Sequence, residues 1–137
     1  SYMDIAEFIQ TNGIIINKNL HQLWRRIVFN IAVSNTDDHL RNHGFILTPK
    51  GWILSPAYDI NPSIHKDGLS LNIDMDSNAL DLELAKTVGE YFRLDGKQMD
   101  GIIDEVIRSV GQWRIIAGEI GISRAEQELM AAAFIGG

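Results

Sequence analysis

Residues 35–42 concentrate side chains that could bind a cation and move a proton. Four carry an amide or carboxylate oxygen and two are basic: Asn35, Asp37, Asp38, Asn42, His39 and Arg41. Such crowding of hydrogen-bond acceptors is costly unless a positive group lies among them. A divalent cation that carries a polyphosphate would supply that group. We therefore predict that this segment binds a metal together with phosphates.

A predicted β-hairpin brings a further carboxylate to the same place. The runs 45–47 and 52–54 are β-prone, and turn residues separate them. Neighbouring strands lie about 5 Å apart, so a residue just before the first strand lies beside one just after the second. We therefore expect Asn42 and Asp59 at one open end of the hairpin, within reach of one cation, with Asp37 on the loop that leads in.

The spacing of these residues is typical of phosphoryl transfer. Asn42 follows Asp37 by five residues, the interval between the catalytic aspartate and asparagine of protein kinases, and Asp59 comes later. In kinases the asparagine and the later aspartate hold the metal, while the first aspartate accepts the hydroxyl proton. Taken alone, an Asp-rich loop that contains a histidine indicates a solvated turn, and the joint pattern with the hairpin and Asp59 is what adds the catalytic interpretation. Asp38 is the weaker candidate base because its interval to Asn42 is one residue too short, and we interpret it as solvating the loop.

His39 allows two interpretations. As a ligand beside Asp37 and Asp38 it would suit zinc or manganese. As a structural residue it would hydrogen-bond a loop carbonyl or the Asp37 carboxylate. The hard oxygen donors around it fit magnesium better, which favours the structural role.

Residues 35–42 (NTDDHLRN) and 54–62 (LSPAYDINP) together resemble the HipA family of bacterial serine/threonine kinases, the toxins of type II toxin–antitoxin systems. The resemblance implies a mainly α fold, namely a protein-kinase-like C-terminal lobe built as a helical bundle with one small β-hairpin. The site residues that it implies are the catalytic base Asp37 and the metal ligands Asn42 and Asp59. We predict Asn35, His39 and Arg41 as supporting residues of the same loop.

The resemblance also implies the reaction and the partners. ATP would donate its γ-phosphoryl group to a protein hydroxyl in the presence of Mg²⁺; some family members phosphorylate an aminoacyl-tRNA synthetase. A HipB-like DNA-binding antitoxin would bind the protein, so any contact with nucleic acid would be indirect. Two alternatives remain open. One is a kinase of small molecules or lipids that uses the same three polar residues, and the other is a non-catalytic module that binds a partner.

Length and composition restrict the class of protein. With 137 residues, 45% of them hydrophobic, the chain can form one compact domain over 1–137. A net charge of −6 argues against broad contact with nucleic acid or a membrane surface. The sequence has no cysteine, which excludes disulfides and thiolate metal sites. No apolar run approaches the roughly 18 residues of a membrane span, and no signal-peptide pattern is present, so we expect a cytoplasmic protein.

Helical periodicity predicts the elements of the first half. A helix over 2–10 would end at Gly13, and Asn19 would cap a second helix in which Arg25 and Arg26 lie off the apolar stripe. That stripe comprises Leu20, Leu23, Trp24, Ile27, Val28 and Ile31.

The second half begins with an irregular polar stretch and then becomes helical. Leu69, Leu71 and Ile73 alternate with other residues and predict a short strand. Three helices should follow: one with the stripe Leu80, Leu84, Val88 and Tyr91, a long one from Met99 to Ala117 opened by the Asp95–Gln98 capping box, and one capped by Ser123 with Glu126 that carries Leu129 and Phe134.

The sequence shows no convincing counterpart of two parts of a kinase nucleotide site. A kinase needs a phosphate-covering loop and a strand lysine. Lys18 follows only the short apolar run 14–16, with no glycine-rich loop before it, and is predicted to be solvated. We therefore expect that the chain is the C-terminal lobe of a longer protein, and that it folds but turns over no ATP when alone.

Overall fold

A computed structural model of the protein describes residues 1–65 and 67–136. The described part is mainly helical, with one antiparallel pair of strands, as the sequence predicts. The helices and strands are α1 Tyr2–Asn12, α2 Ile16–Val33, β1 Phe45–Thr48, β2 Gly51–Leu54, α3 Leu82–Thr87, α4 Gly96–Val110, α5 Trp113–Glu119 and α6 Arg124–Met130. Short 3₁₀ turns cover Leu40–Asn42, Gly89–Phe92 and Ala131–Ala133.

Helix α2 is the centre of the core, and α1, α3 and α4 pack around it. Its predicted stripe is buried from Leu20 to Ile31 because side chains spaced three and four residues apart share one helix face. Trp24 lies fully inside, and its indole Nε1 donates a hydrogen bond to the carbonyl of Ala85, 2.9 Å away. The tryptophan therefore joins α2 to α3 and has the core role that its periodicity predicts.

The start of α2 differs from the prediction. The helix begins at Ile16, so Asn19 does not cap it; the buried Asn19 side chain instead donates from Nδ2 to the carbonyl of Ile14, 3.2 Å away. Ile15 precedes the helix in a left-handed conformation with φ 45°, which a β-branched residue rarely adopts. The backbone amide of Ile14 donates to the carbonyl of Trp52. This tertiary contact fixes the connection, and local propensity could not show it.

The hairpin has the predicted register. Phe45 pairs with Leu54, and Thr48 pairs with Gly51, whose φ of 139° suits a glycine at the turn. The Phe8 ring of α1 packs on the Phe45 ring with their centroids 4.4 Å apart. The hairpin is therefore attached to α1, and its open end faces the loop that follows α2.

The predicted strand at Leu69, Leu71 and Ile73 is wrong, although all three side chains are buried. The amide of Leu69 donates to the carbonyl of Asn78, and the amide of Ile73 donates to the carbonyl of Ser77. Backbone groups in this segment thus bond within a compact loop and form no strand. Alternation correctly indicated which side chains face the core, but the amides of Leu69 and Ile73 find their partners within the loop, and the carbonyl of Asn72 accepts from the amide of Tyr2.

The C-terminal helices are shorter than predicted. The expected long helix breaks after Val110, and Gly111 and Gln112 separate α4 from α5. Tyr91 lies in a 3₁₀ turn with 58% of its surface exposed, outside the stripe to which periodicity assigns it. Phe134 lies beyond α6 and stacks on Trp113, with their ring centroids 4.3 Å apart. Leu129 is exposed.

Both predicted capping boxes are present in this half. They open α4 at Asp95 with Gln98, and α6 at Ser123 with Glu126. Among the residues that the structure describes, none of the helices combines the length and hydropathy that crossing a bilayer requires.

Candidate active site

The end of α2 directs the chain into the candidate loop. Ser34 closes the helix in a left-handed conformation, and its hydroxyl donates to the carbonyl of Ala133, 2.7 Å away. The backbone amide of Asn35 donates a hydrogen bond to the carbonyl of Asn30. The loop then runs to the 3₁₀ turn Leu40–Asn42 and enters the hairpin. A well-packed helix therefore fixes one end of the loop, and a strand fixes the other.

The structure brings Asn42 and Asp59 together, as the hairpin prediction requires. Asn42 donates from Nδ2 to Oδ2 of Asp59 over 3.1 Å. The Asn42 amide oxygen accepts the backbone N–H of His39 at 2.8 Å. Asn42 is buried, whereas Asp59 is exposed. The His39 backbone thus fixes the buried Asn42 amide, while the Asp59 carboxylate remains accessible to solvent.

Asp37 lies at the other end of the same set of contacts. His39 donates from Nε2 to Oδ1 of Asp37 over 2.8 Å, and 74% of the Asp37 side chain is exposed. This contact is the hydrogen bond to the Asp37 carboxylate that the structural interpretation of His39 expects. Hydrogen bonds therefore link Asp37, His39, Asn42 and Asp59 in sequence. One end presents an accessible carboxylate, and the other presents an amide beside a second carboxylate.

Asp59 has a backbone conformation that its neighbours hold in place. Its φ is 55°, in the left-handed region that aspartate tolerates better than most residues. Asn61 donates from Nδ2 to Oδ1 of Asp59 at 2.9 Å, so each carboxylate oxygen accepts from one asparagine. The Tyr58 hydroxyl donates to the carbonyl of Arg41, 2.7 Å away. Arg41 is exposed and joins the two segments through its backbone.

Asp38 does not solvate the loop, so that interpretation was wrong. It is only 4% exposed, and its Oδ2 accepts from the Tyr2 hydroxyl at 2.5 Å, from Asn30 Nδ2 at 3.0 Å and from His43 Nε2 at 2.7 Å. Burial, followed by the charge of Asp38, raises the pKa of Tyr2 well above its usual value. Asp38 is therefore the centre of a buried polar cluster beneath the exposed Asp37.

Asn35 belongs to this buried cluster. Its Nδ2 donates to Oδ1 of Asn30 over 3.0 Å, and Asn30 in turn donates to Asp38 and Tyr2. Its own Oδ1 is buried and accepts no hydrogen bond within the described residues. Asn35 thus supports the loop from the core side.

Sequence reasoning missed four residues of this cluster: Tyr2, Asn30, His43 and Arg26. Arg26 was predicted to lie off the stripe of α2, yet it is 6% exposed. Its Nη1 contacts Nδ1 of His43 at 3.3 Å, and its Nη2 donates to the carbonyl of Ser55. Burial lowers the pKa of Arg26, while the charge of Asp38 opposes that shift. Polar residues at positions 26 and 30, one turn apart within an apolar helix, were the available signal.

The oxygen donors at Asn42 and Asp59 fit magnesium. Mg²⁺ is held by one or two carboxylates, completed by substrate phosphates and water. The Asn42 amide oxygen retains a second lone pair beside the one that accepts from His39. Among the described residues, no group of three or more His, Cys, Asp or Glu side chains could hold a metal. One carboxylate and one amide oxygen would leave the remaining positions around Mg²⁺ to phosphate and water oxygens.

The comparison with protein families agrees with the motifs and the fold. The model of the HipA-like C-terminal domain matches residues 1–114, which include every site residue named above. The chain therefore belongs to the family of HipA-like C-terminal domains. No curated protein matches it.

Proposed function

We propose that this chain is the catalytic C-terminal lobe of a magnesium-dependent serine/threonine protein kinase. In the full-length protein it would transfer the γ-phosphoryl group of ATP to a protein hydroxyl. The observation that carries the proposal is the continuous set of hydrogen bonds from Asp37 through His39 and Asn42 to Asp59. It joins a candidate base to a candidate metal pair with the roles that phosphoryl transfer uses.

Asp37 is proposed to accept the proton of the acceptor hydroxyl. His39 engages Oδ1, so the proton would go to Oδ2 of the exposed carboxylate. The hydroxyl oxygen then forms a bond to the γ-phosphorus, and the bond from that phosphorus to the bridging oxygen breaks. ADP leaves with the electron pair. General bases contribute roughly 10²- to 10⁴-fold to such steps.

Asn42 and Asp59 are proposed to hold Mg²⁺, which when bound neutralises charge on the phosphates. The Asp59 carboxylate supplies the negative charge, and the Asn42 amide supplies a neutral oxygen. Asn42 is held by the His39 backbone and Asp59 by Asn61, so the two side chains stay close together. The Asn42 amide nitrogen faces Asp59, so a cation shared by the two side chains would replace the hydrogen bond between them.

Membership in the HipA-like family supports the biological part of the proposal. The full-length protein would act as the toxin of a toxin–antitoxin pair in the cytoplasm and would bind a HipB-like antitoxin. The acidic chain, with a net charge of −6, favours DNA contact through that antitoxin over direct contact.

The test is phosphoryl transfer by the full-length protein with γ-labelled ATP and magnesium. Protein, lipid and small-molecule acceptors should be offered separately. We expect label on serine or threonine of a protein, lost in Asp37→Ala and retained in Asp104→Ala, a change at an exposed aspartate of α4. Label only on lipid or a small molecule would indicate the alternative kinase class. Absence of transfer by folded wild-type protein that binds a partner would indicate a binding module.

A further inference from the structure

Arg26 contacts both segments that carry the candidate site. One arm of its guanidinium, Nη1, meets Nδ1 of His43, the residue directly after Asn42. The other arm, Nη2, donates to the carbonyl of Ser55, which follows β2 and precedes Asp59 by four residues. A single side chain on α2 therefore bridges the loop of the base and the segment of the metal carboxylate.

The chemistry of Arg26 determines the tautomer of His43. A guanidinium carries only hydrogen-bond donors, so Nδ1 of His43 must accept. Nε2 then carries the ring proton and donates it to Oδ2 of Asp38, 2.7 Å away. Arg26, His43 and Asp38 thus form a chain of hydrogen bonds. The guanidinium donates to the neutral imidazole, and the imidazole donates to the carboxylate.

Burial makes this series rigid. The side chains of His43 and Asp38 are 3% and 5% exposed, and the carboxylate also accepts from Tyr2 and Asn30. Hydrogen bonds in such surroundings are strong when complete, and removing one partner leaves a costly unpaired group. Asp38 directly follows Asp37, so a displaced Asp38 would displace the candidate base.

We propose that Arg26 is a positioning residue that sets Asp37 relative to Asp59. It acts on one side through His43 and Asp38 and on the other through the Ser55 carbonyl, and it touches no reacting atom. The inference rests on the proposed function. A residue that only filled the core could be replaced by another of similar size and charge without altering the chemistry.

Arg26→Lys tests this role in the full-length protein. Lysine keeps the charge, but one ammonium cannot reproduce the two-armed planar fork. We expect single-turnover transfer to fall roughly 10²-fold, a loss that a misplacement of about 1 Å can cause. Magnesium-dependent ATP affinity should fall as well, while affinity without magnesium stays unchanged. Arg25→Lys is the matched control, because Arg25 instead pairs with Glu105 at the surface, 2.7 Å away.

His43 supplies a second test that holds even if Arg26→Lys does not fold. Glutamine can donate to Asp38 and accept from Arg26, whereas leucine only fills space. We expect His43→Gln to transfer at least about tenfold faster than His43→Leu when both are folded, following the general relation between rate and positioning. The nitrogen chemical shifts of His43 should report the Nε2–H tautomer.

Three results would overturn the inference. They are equal transfer rates for wild type and Arg26→Lys, equal rates for His43→Gln and His43→Leu, or an Nδ1–H tautomer at His43. Failure of the proposed function would look different, since wild-type protein itself would transfer no phosphoryl group. In that case the inference falls with the function on which it rests.

Discussion

The Asn42 amide donates a hydrogen bond to the Asp59 carboxylate, 3.1 Å away and 17 positions along the chain. The hairpin makes this contact possible, because Phe45 pairs with Leu54 and the flanking residues emerge at the same end. Neither residue belongs to a strand. Each is held by its own neighbour, Asn42 by the His39 backbone and Asp59 by the Asn61 side chain.

The C-terminal end of α1 should depend on Gly13, which caps the helix. A Cβ at this position would lie 2.6 Å from the carbonyl oxygen of Ile9, which is backbone and cannot rotate away. We expect Gly13→Ala to lower the free energy of unfolding by about 1–3 kcal/mol, as overpacking does. The control is Gly101→Ala within α4, where a Cβ meets nothing within 4 Å. Alanine there should stabilise by about 0.5–1 kcal/mol. Urea unfolding checks both, and a stabilising Gly13→Ala would contradict the packing described.

Replacing Asp38 should destabilise the protein much more than replacing Asp37. Asp38→Ala removes a buried carboxylate, so the Tyr2 hydroxyl and His43 Nε2 lose the acceptor of their hydrogen bonds and Asn30 Nδ2 keeps only the Tyr2 hydroxyl. Breaking a buried charged cluster typically costs about 3–5 kcal/mol. Asp37→Ala at an exposed position should change stability by no more than about 0.5 kcal/mol. Chemical denaturation distinguishes them, and similar values for the two variants would show that Asp38 is not the buried centre of the cluster.

Tyr2 should make the protein sensitive to alkaline pH. Burial and the Asp38 charge raise its pKa in the folded state above the value of about 10 expected when unfolded. The resulting stability is fully present below pH ~10 and is lost as the pH rises through the folded-state pKa.

Replacing the Tyr2 hydroxyl should remove this dependence. Tyr2→Phe should be less stable than wild type at pH 8, because the hydrogen bond to Asp38 is lost, and the difference should shrink as the pH rises toward 11. The exposed Tyr91→Phe should retain the wild-type pH profile. A difference between wild type and Tyr2→Phe that is constant across this pH range would refute the explanation.

Local patterns and one hairpin predicted the contact between Asn42 and Asp59 in the candidate site. The turn residues between 45–47 and 52–54 specified the pairing, and the pairing specified that Asn42 and Asp59 meet. The apolar stripe of α2 and both capping boxes followed from spacing that depends only on helix geometry.

The buried polar cluster could not be predicted in the same way. Asp38 and Asp37 have the same chemistry and adjacent positions, and tertiary contacts with Tyr2 of α1, Asn30 of α2 and His43 bury Asp38 while Asp37 stays exposed. The burial of Arg26 was not predicted for a related reason, because its partners His43 and Ser55 lie 17 and 29 residues away along the chain. Periodicity reports which face of a helix is apolar but not which polar side chain finds a buried partner.

Magnesium-dependent ATP affinity, measured beside single-turnover transfer in the full-length protein, tests the central claim most directly. The variants are Asp37→Asn and Asp59→Asn, since asparagine keeps the shape of aspartate and tolerates the left-handed backbone at position 59. Asp37→Asn should bind magnesium and ATP as wild type does, yet lose transfer by roughly 10²- to 10⁴-fold. Asp59→Asn should lose both magnesium-dependent binding and transfer, because a charge leaves the proposed cation site. If Asp59→Asn binds magnesium and ATP as tightly as wild type, or if Asp37→Asn transfers at the wild-type rate, the assignment of metal ligand and base is wrong.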